Sequence, residues 1–211
     1  MKTRILLADD HAMFREGVKQ VLTNTAEFEV VDEASDAAQV LEKAQHTKCD
    51  IVVLDISMPG RDGIEVLKQL KQTNPDLHVL ILSMYPEDQY AFRAIKAGAS
   101  GYLTKNKASA ELIEALRRVA GGRKYISADV AEQLANELER GADTPIHQKL
   151  SDREYQVMRL IASGKTVGQI SRDLTISIST VSTLRSRILK KLGMKTNAEI
   201  THYAIKHDLV T

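Results

Sequence analysis

Along the first 122 residues, short unbroken apolar runs alternate with longer stretches in which apolar positions recur every three or four residues. Ile51-Val52-Val53-Leu54 is the clearest run, mostly β-branched, ending at Asp55 and followed by the chain breakers Pro59, Gly60 and Gly63. An apolar run bounded by turn residues predicts a strand buried on both faces of a parallel sheet. Arg4 to Ala8 leads in the same way into Asp9-Asp10, Val79 to Leu82 into Ser83, and Gly101 to Thr104 into Lys105, while Glu29-Val30-Val31 is a shorter strand. Between these runs the spacing predicts helices over His11–Asn24, after a cap at Ser35, and over Gly63–Gln72, Glu87–Ala97 and Ser109–Ala120. Gly98 serves as a left-handed stop for the fourth. Five such βα units predict an α/β, doubly wound, five-stranded parallel sheet of the flavodoxin-like type.

The pattern then changes. Ser127–Leu138 has helical spacing in Val130, Leu134 and Leu138, and polar Arg140 to Pro145 interrupts it as a linker. From Leu150 onward the signals are helical caps. Ser151…Glu154, Thr166…Gln169 and Thr196…Glu199 have capping-box spacing, Leu150 is placed to staple onto Tyr155, and Ser177 or Ser179 can cap the helix between the last two boxes. Four helices follow, 152–162, 167–174, 178–192 and 197–207, and the short join at Thr175-Ile176-Ser177 has helix-turn-helix spacing. The chain therefore reads as residues 1–122, a helical connector and linker over 123–148, and an all-α four-helix domain over 149–211.

Composition changes this picture in three places. At 211 residues, two domains are the better expectation. No apolar run approaches the ~20 residues that span a bilayer, and a single cysteine, Cys49, excludes an intramolecular disulfide and a cysteine-built zinc site. These features fit a cytoplasmic protein. The net charge of +1 hides an asymmetry: residues 1–122 carry 15 Lys and Arg against 18 Asp and Glu, net −3, whereas residues 149–211 carry 11 against 5, net +6. An acidic front and a basic back point to separate partners, nucleic acid leading for the second.

The strand ends of the first domain deliver three carboxylates, a hydroxyl and an ammonium. A lone Asp10 would more often cap the first helix, a lone Ser83 would be a turn residue, and a lone Lys105 a solvated one. Asp55 at a buried strand end is harder to dismiss, because an unpaired buried carboxylate is costly. Asp9-Asp10, Leu54-Asp55-Ile56-Ser57-Met58-Pro59-Gly60, Ser83 and Tyr102-Leu103-Thr104-Lys105 resemble the receiver domain of bacterial two-component response regulators, each piece at its place in the βα order. The resemblance implies that Asp55 accepts a phosphoryl group from a sensor histidine kinase. It also implies a Mg²⁺ held by Asp10, Asp55, the Ser57 carbonyl and Asp9 through water, since clustered carboxylates need a cation and all-oxygen ligation suits this one. Lys105 would neutralise phosphoryl oxygens, Ser83 would donate to them, and Tyr102 would be the aromatic that swings inward. The chain departs from the family in placing Asn106, not proline, after Lys105.

In the basic domain, Val181, Ile188 and Leu192 share one side of the helix 178–192, flanked by Leu184 and Leu189, while Thr183, Ser186, Arg187 and Lys190 face away. Leu150 to Glu154, Ile161 to Gly164, Ile170 to Leu174, and Ser179 to Leu192 resemble the LuxR-type helix-turn-helix that closes regulators of the NarL/FixJ class. The last helix is similar to the GacA/UvrY branch. The resemblance implies major-groove entry into double-stranded DNA by this helix, with Ser182, Thr183, Ser186, Arg187 and Lys190 as contacts, and a homodimer on phosphorylation. Two positions differ: Ser182 stands where a longer side chain is usual, and Arg185 lies near the apolar side, where its stem either snorkels out or pairs with an acid. Dimer contacts are expected from Ile200, Tyr203 and Ala204. Two other classes fit less well. A Mg²⁺-dependent phosphatase or hydrolase would need a second acid–base group and a substrate cap, neither of which is evident. Salt-dependent binding to duplex DNA separates a regulator from a non-catalytic adaptor whose helical tail binds protein.

Overall fold

The computed structural model describes residues 2–58, 62–140, 145–207 and 209–210, with backbone alone at 88, 89, 133 and 136–140. Pro59 and Gly60 of the expected turn, the linker at 141–144 and the side chain of Leu138 lie outside the described residues. The chain divides into two compact units, Met1–Asn136 and Glu137–Thr211; the connector expected over 123–148 spans that division. No helix among the described residues is long and apolar enough to cross a membrane.

The first unit is a five-stranded parallel sheet in the order β2-β1-β3-β4-β5. Its strands are β1 (Thr3–Ala8), β2 (Phe28–Ala34), β3 (Ile51–Leu54), β4 (His78–Ser83) and β5 (Gly101–Thr104). Helices α1 (Ala12–Thr23), α2 (Ala37–His46), α3 (Gly63–Thr73), α4 (Glu87–Lys96) and α5 (Ala108–Ala120) connect and follow them. All four residues of β3 are buried, because β3 lies between β1 and β4 with helices on both faces. Each such side chain contributes ~1.5–3 kcal/mol by leaving water. The doubly wound expectation holds, and with it the location of the carboxyl ends of β1 and β3 beside the point where strand order reverses.

Local details differ from the sequence reading in instructive ways. β2 runs from Phe28 to Ala34, longer than Glu29–Val31, because pairing along β1 extends it past the apolar pair and through a register shift at Ile5/Leu6. The cap of α2 is Asp36, not Ser35: its carboxylate accepts the Gln39 N–H at 2.9 Å, and the Ser35 hydroxyl accepts instead from Gln39 Nε2. Asp10 caps nothing, since the N-cap of α1 is His11, whose side chain makes no cap bond. Gly63 opens α3 against Ile56, where an added Cβ would lie 2.3 Å from the Ile56 Cα. Only glycine lets α3 approach the end of β3 so closely. Beyond α5, Tyr125 bonds to both Ser100 and Tyr102 through the backbone, so the chain stays paired with the β5 edge. Helix α6 (Ala128–Arg140) follows.

The second unit begins with a 3₁₀ turn, Ile146–Lys149, then α7 (Asp152–Ala162), α8 (Val167–Asp173), α9 (Ile178–Leu192) and α10 (Asn197–Lys206). Two capping boxes form in full, at Ser151/Glu154 and Thr166/Gln169, and Ser177 rather than Ser179 caps α9. The third box is half formed. Thr196 accepts the Glu199 N–H, but the Glu199 carboxylate reaches past the cap residue to the Lys195 N–H at 3.1 Å. Ile200 and Ala204 are fully buried in this unit's core, so the expectation that they are free for dimer contacts is overturned; the exposed side of α10 carries Ala198, His202 and Ile205.

Glu154 has a second role beyond its cap. Its buried carboxylate also accepts from Lys191 Nζ at 2.6 Å, tying the start of α7 to the end of α9. Burial pushes Glu154 upward, but Lys191 and the Ser151 amide and hydroxyl outweigh it and hold the group below its ordinary value. A depressed carboxylate contributes stability that is complete above the unfolded value of ~4.3 and is lost as pH falls through the lower folded value. Glu154→Ala is expected to cost ~1–2 kcal/mol at pH 7 in a denaturant titration, the scale of a lost cap. The difference from the wild type should shrink as the titration is repeated toward pH 3. An unchanged difference at that pH would mean the lost cap geometry, not the charge, carries the effect.

Candidate functional site

Four strands of the first unit end in polar residues on one edge. Backbone bonds continue the ladder by one step, with the Asp9 N–H donating to the Ala34 carbonyl at 3.0 Å and the Asp55 N–H to the Ala8 carbonyl at 2.8 Å. Asp9 and Asp55 are each 1% exposed, and Lys105 is buried with them. Its ammonium lies 2.7 Å from Asp55 Oδ2 and 2.6 Å from Asp9 Oδ2, with the Phe14 ring 4.6 Å beneath it. The Ser57 N–H donates to Asp55 Oδ1 at 2.9 Å. Burial pushes the Asp55 carboxyl above its ordinary value, and the ammonium and the Ser57 N–H offset only part of that. Lys105 is also desolvated, yet Asp55 and Asp9 outweigh the loss and hold its pKa up.

The switch candidates stand where the register puts them. Ser83 ends β4 and is fully buried, its Oγ accepting the Tyr85 N–H at 3.1 Å. Tyr102, beside it on β5, points inward, and its hydroxyl donates to the Tyr85 carbonyl at 2.8 Å. Both side chains therefore meet the same loop after β4. At Lys105-Asn106 no peptide bond is cis, and the Thr104 hydroxyl and the Asn106 side chain are 2.5 Å apart.

Asp9, Asp10 and Asp55 offer oxygens, and His11 a nitrogen, that all lie within 4.8 Å of one another. Asp9 Oδ2 is met by the Lys105 ammonium at 2.6 Å, and Asp10 Oδ1 by the His11 ring at 2.8 Å. An acidic pocket of Asp9, Asp10 and Asp55 is compatible with Mg²⁺, which prefers oxygen ligands. Sequence reading assigned no role to His11 or Arg15, although both follow the aspartate pair closely. Arg15 donates to the Asp9 carbonyl at 2.6 Å and pairs with Glu33, which fixes the loop carrying the acids.

In the second unit, α8 and α9 form the helix-turn-helix. Its turn puts Thr175 in a left-handed conformation (φ 52°) and is tied by the Ser171 hydroxyl to the Ile176 carbonyl at 2.6 Å and by Arg153 to the Leu174 carbonyl at 3.0 Å. The α9 face divides as expected. Val181, Leu184, Ile188 and Leu192 are buried, whereas Ser182, Thr183, Ser186, Arg187 and Lys190 are exposed. The three hydroxyls donate back to carbonyls of the preceding turn, at 3.0 Å each, which leaves their lone pairs outward. Arg187 and Lys190 make no ion pair among the described residues. Arg185 neither snorkels alone nor pairs with an acid; it donates to the Asn197 side chain at 2.6 Å, bracing α9 against the start of α10.

Two families match the chain. "Response regulator receiver domain" matches residues 5–117, and "Bacterial regulatory proteins, luxR family" matches residues 148–204. Among curated relatives, "Response regulator UvrY" of Escherichia coli (strain K12) is 34% identical over 206 residues, covering 97% of this chain and 94% of the relative. "Response regulator GacA" of Pseudomonas viridiflava is 35% identical over 208 residues, covering 98% and 97%. Among solved structures, RcsB from Salmonella enterica serovar Typhimurium, bound to promoter rprA in the presence of phosphomimetic BeF3-, is similar with a TM-score of 0.66 and 25% identity, covering 96% of this chain and 98% of that one.

Proposed function

We propose, for a chain that belongs to the two-component response regulators with a LuxR-type DNA-binding domain, that Asp55 is its phosphoacceptor and that phosphorylation drives dimerisation and DNA binding through α9. The carrying observation is Lys105 seated between the buried carboxylates of Asp9 and Asp55. One Asp55 oxygen attacks phosphorus as the bond from phosphorus to the donor's leaving atom breaks and its electron pair departs with that atom. A carboxylate is a weak nucleophile, so the pocket's contribution is positioning and charge neutralisation. Lys105 neutralises phosphoryl oxygens as a point charge, and Ser83 turns from Tyr85 to donate to them. Asp9, Asp10, Asp55 and the Ser57 carbonyl would hold Mg²⁺, which supplies the positive charge that lets a dianionic group enter a site of carboxylates. Movement of the Ser83 loop is read out by Tyr102, whose hydroxyl is bonded to that loop, as an order change on one surface of the first unit. The donor is a sensor histidine kinase, and the chain acts in the cytoplasm.

The test is incubation with a small phosphodonor and Mg²⁺. The expected result is one acid-labile phosphoryl group per chain. Continuous phosphate release at many turnovers would instead mark a hydrolase, and no label at all would remove the phosphoacceptor reading.

On α9 the reading assigns labour by side-chain type. Lys190 lies in the last turn, where the groove wall is phosphate, and acts without base preference. Lys190→Ala is expected to weaken binding to all duplexes alike and to lower the salt slope by ~1. Thr183 and Ser186 offer lone pairs to base edges. Alanine at either is expected to cost ~1–3 kcal/mol on a specific operator and little on scrambled DNA. Ser182 and Arg187 flank them, Arg187 as a fork for guanine or phosphate. Titrations of each variant against operator and scrambled duplexes at several salt concentrations decide this. Equal losses on both duplexes for Thr183→Ala and Ser186→Ala would refute base reading.

A further inference from the structure

We infer that Tyr125 is the positioning residue that carries the receiver's state into the connector: it straps the chain leading to α6 onto the edge of β5, and phosphorylation releases that strap. The inference deepens the reading above, in which Tyr102 follows the Ser83 loop, and rests on it.

β5 ends the strand order of the sheet, so its outer side would present unpaired backbone groups. Tyr125 covers that side over a single step. Its N–H donates to the Ser100 carbonyl and its carbonyl accepts the Tyr102 N–H, both at 3.0 Å, which makes a parallel bridge opposite Gly101. Side chains hold the same place. The Tyr125 hydroxyl donates to Glu111 Oε2 on α5 at 2.6 Å, and the Arg118 guanidinium lies 5.8 Å from the centre of the Tyr125 ring. The ammonium of neighbouring Lys124 donates to the Ala99 carbonyl. Burial and the Glu111 carboxylate push the Tyr125 phenol far above its ordinary range, so it remains a donor at any physiological pH.

Tyr102 is where the strap meets the switch. Its hydroxyl is bonded to the Tyr85 carbonyl in the loop after β4, and its N–H to the Tyr125 carbonyl. When Ser83 turns to a phosphoryl group, the Tyr85 N–H loses the Oγ that accepts it at 3.1 Å, and the loop holding the Tyr102 hydroxyl moves. The strap is the weakest link in this series. A one-step bridge has no flanking pairs to share the load, whereas β5 is paired with β4 along its whole length, so the bridge opens before the sheet does. Downstream the chain runs directly into α6, where the Ser127 hydroxyl accepts the Val130 N–H at 3.4 Å and Val130 is buried. Release of Tyr125 therefore changes how the start of α6 is held, and α6 is the segment through which the chain continues into the second unit.

The experiment uses the full chain, before and after stoichiometric phosphorylation, and reads amide hydrogen exchange at Tyr102 and Tyr125 beside affinity for duplex DNA. Phosphorylation of the wild type should speed exchange at both amides by at least ~5-fold, the low end of coupling between sites. Two variants weaken the strap directly. Gly101→Ala places a Cβ 2.9 Å from both the Cβ and the carbonyl oxygen of Tyr125, and Tyr125→Phe, the milder change, removes only the bond to Glu111. In each, Asp55 should label at the wild-type rate. Unphosphorylated exchange and DNA affinity should move toward the phosphorylated values, and for Gly101→Ala the affinity ratio between the two states should fall by at least ~5-fold. Tyr102→Phe, once labelled, should leave both amides at their unphosphorylated rates. If Tyr125 only packs the edge, Tyr125→Phe lowers the melting temperature and leaves that ratio unchanged. That result, or wild-type amides that exchange alike in both states, overturns the inference, and a labelled Asp55 then keeps the phosphoacceptor reading intact. No label on the wild type overturns both.

Discussion

Asp55→Asn is expected to reduce phosphoryl labelling to background while leaving the fold and its thermal stability unchanged or slightly improved. The amide is nearly isosteric with the carboxylate, and its one oxygen can still accept from Lys105, 2.7 Å from Asp55 Oδ2, while its NH2 takes the place of Oδ1 and gives up the Ser57 N–H bond of 2.9 Å. Burial already disfavours charge at this position, so a neutral replacement relieves a cost. What disappears is the oxygen nucleophile, and no neighbour can substitute for it from the same strand end. Asp10→Asn, the comparison variant, should lower the labelling rate by weakening ion binding and retain the acceptor. Mass spectrometry after phosphodonor treatment with circular dichroism on the same samples checks both. Labelling that survives both changes would place the acceptor elsewhere.

The second large effect concerns Lys105. Removing one partner of a buried ion pair leaves an uncompensated charge, commonly at ~3–5 kcal/mol, and Lys105→Ala would strand two carboxylates. The ion-free variant is therefore expected to melt well below the wild type, and saturating Mg²⁺ should restore much of the difference, because a cation then compensates Asp9 and Asp55 in place of the ammonium. Phosphorylation of the rescued variant is expected to proceed slowly but to leave it monomeric and weak on DNA, since nothing anchors the phosphoryl oxygens to the end of β5. Melting with and without Mg²⁺, followed by sedimentation of the phosphorylated sample, measures each step. If phosphorylated Lys105→Ala dimerised and bound DNA like the wild type, the coupling role would be wrong.

The apolar run of β3 and the four strand ends were legible in the sequence because burial on both faces leaves a signal free of competing explanations. The full capping boxes at Ser151 and Thr166 were legible because their partners are local. Where two local solutions compete, the sequence did not choose: Ser35 and Asp36 are both good caps, and Glu199 could reach either Thr196 or Lys195. Tertiary packing was the other limit. Ile200 and Ala204 lie on an apolar stripe that serves the domain core or a dimer equally well, and only the packing of α10 on α7 assigns them to the core. Arg185 found an amide because Asn197 arrives from another helix. His11 carried a signal, adjacency to two aspartates, but the side-chain rotamer that turns its ring onto them is not encoded in spacing.

The central claim is that a phosphoryl group on Asp55 controls DNA binding by α9. The most direct measurement is the affinity of the full chain for a duplex selected from genomic DNA by the phosphorylated protein, at fixed salt, before and after stoichiometric phosphorylation, with Asp55→Asn alongside. Coupling between sites is typically ~5–150-fold, so phosphorylation should tighten wild-type binding by ~10-fold or more, with two chains per site, while Asp55→Asn stays at the unphosphorylated value whether or not the donor is present. Equal affinity of the phosphorylated and unphosphorylated wild type would contradict the account.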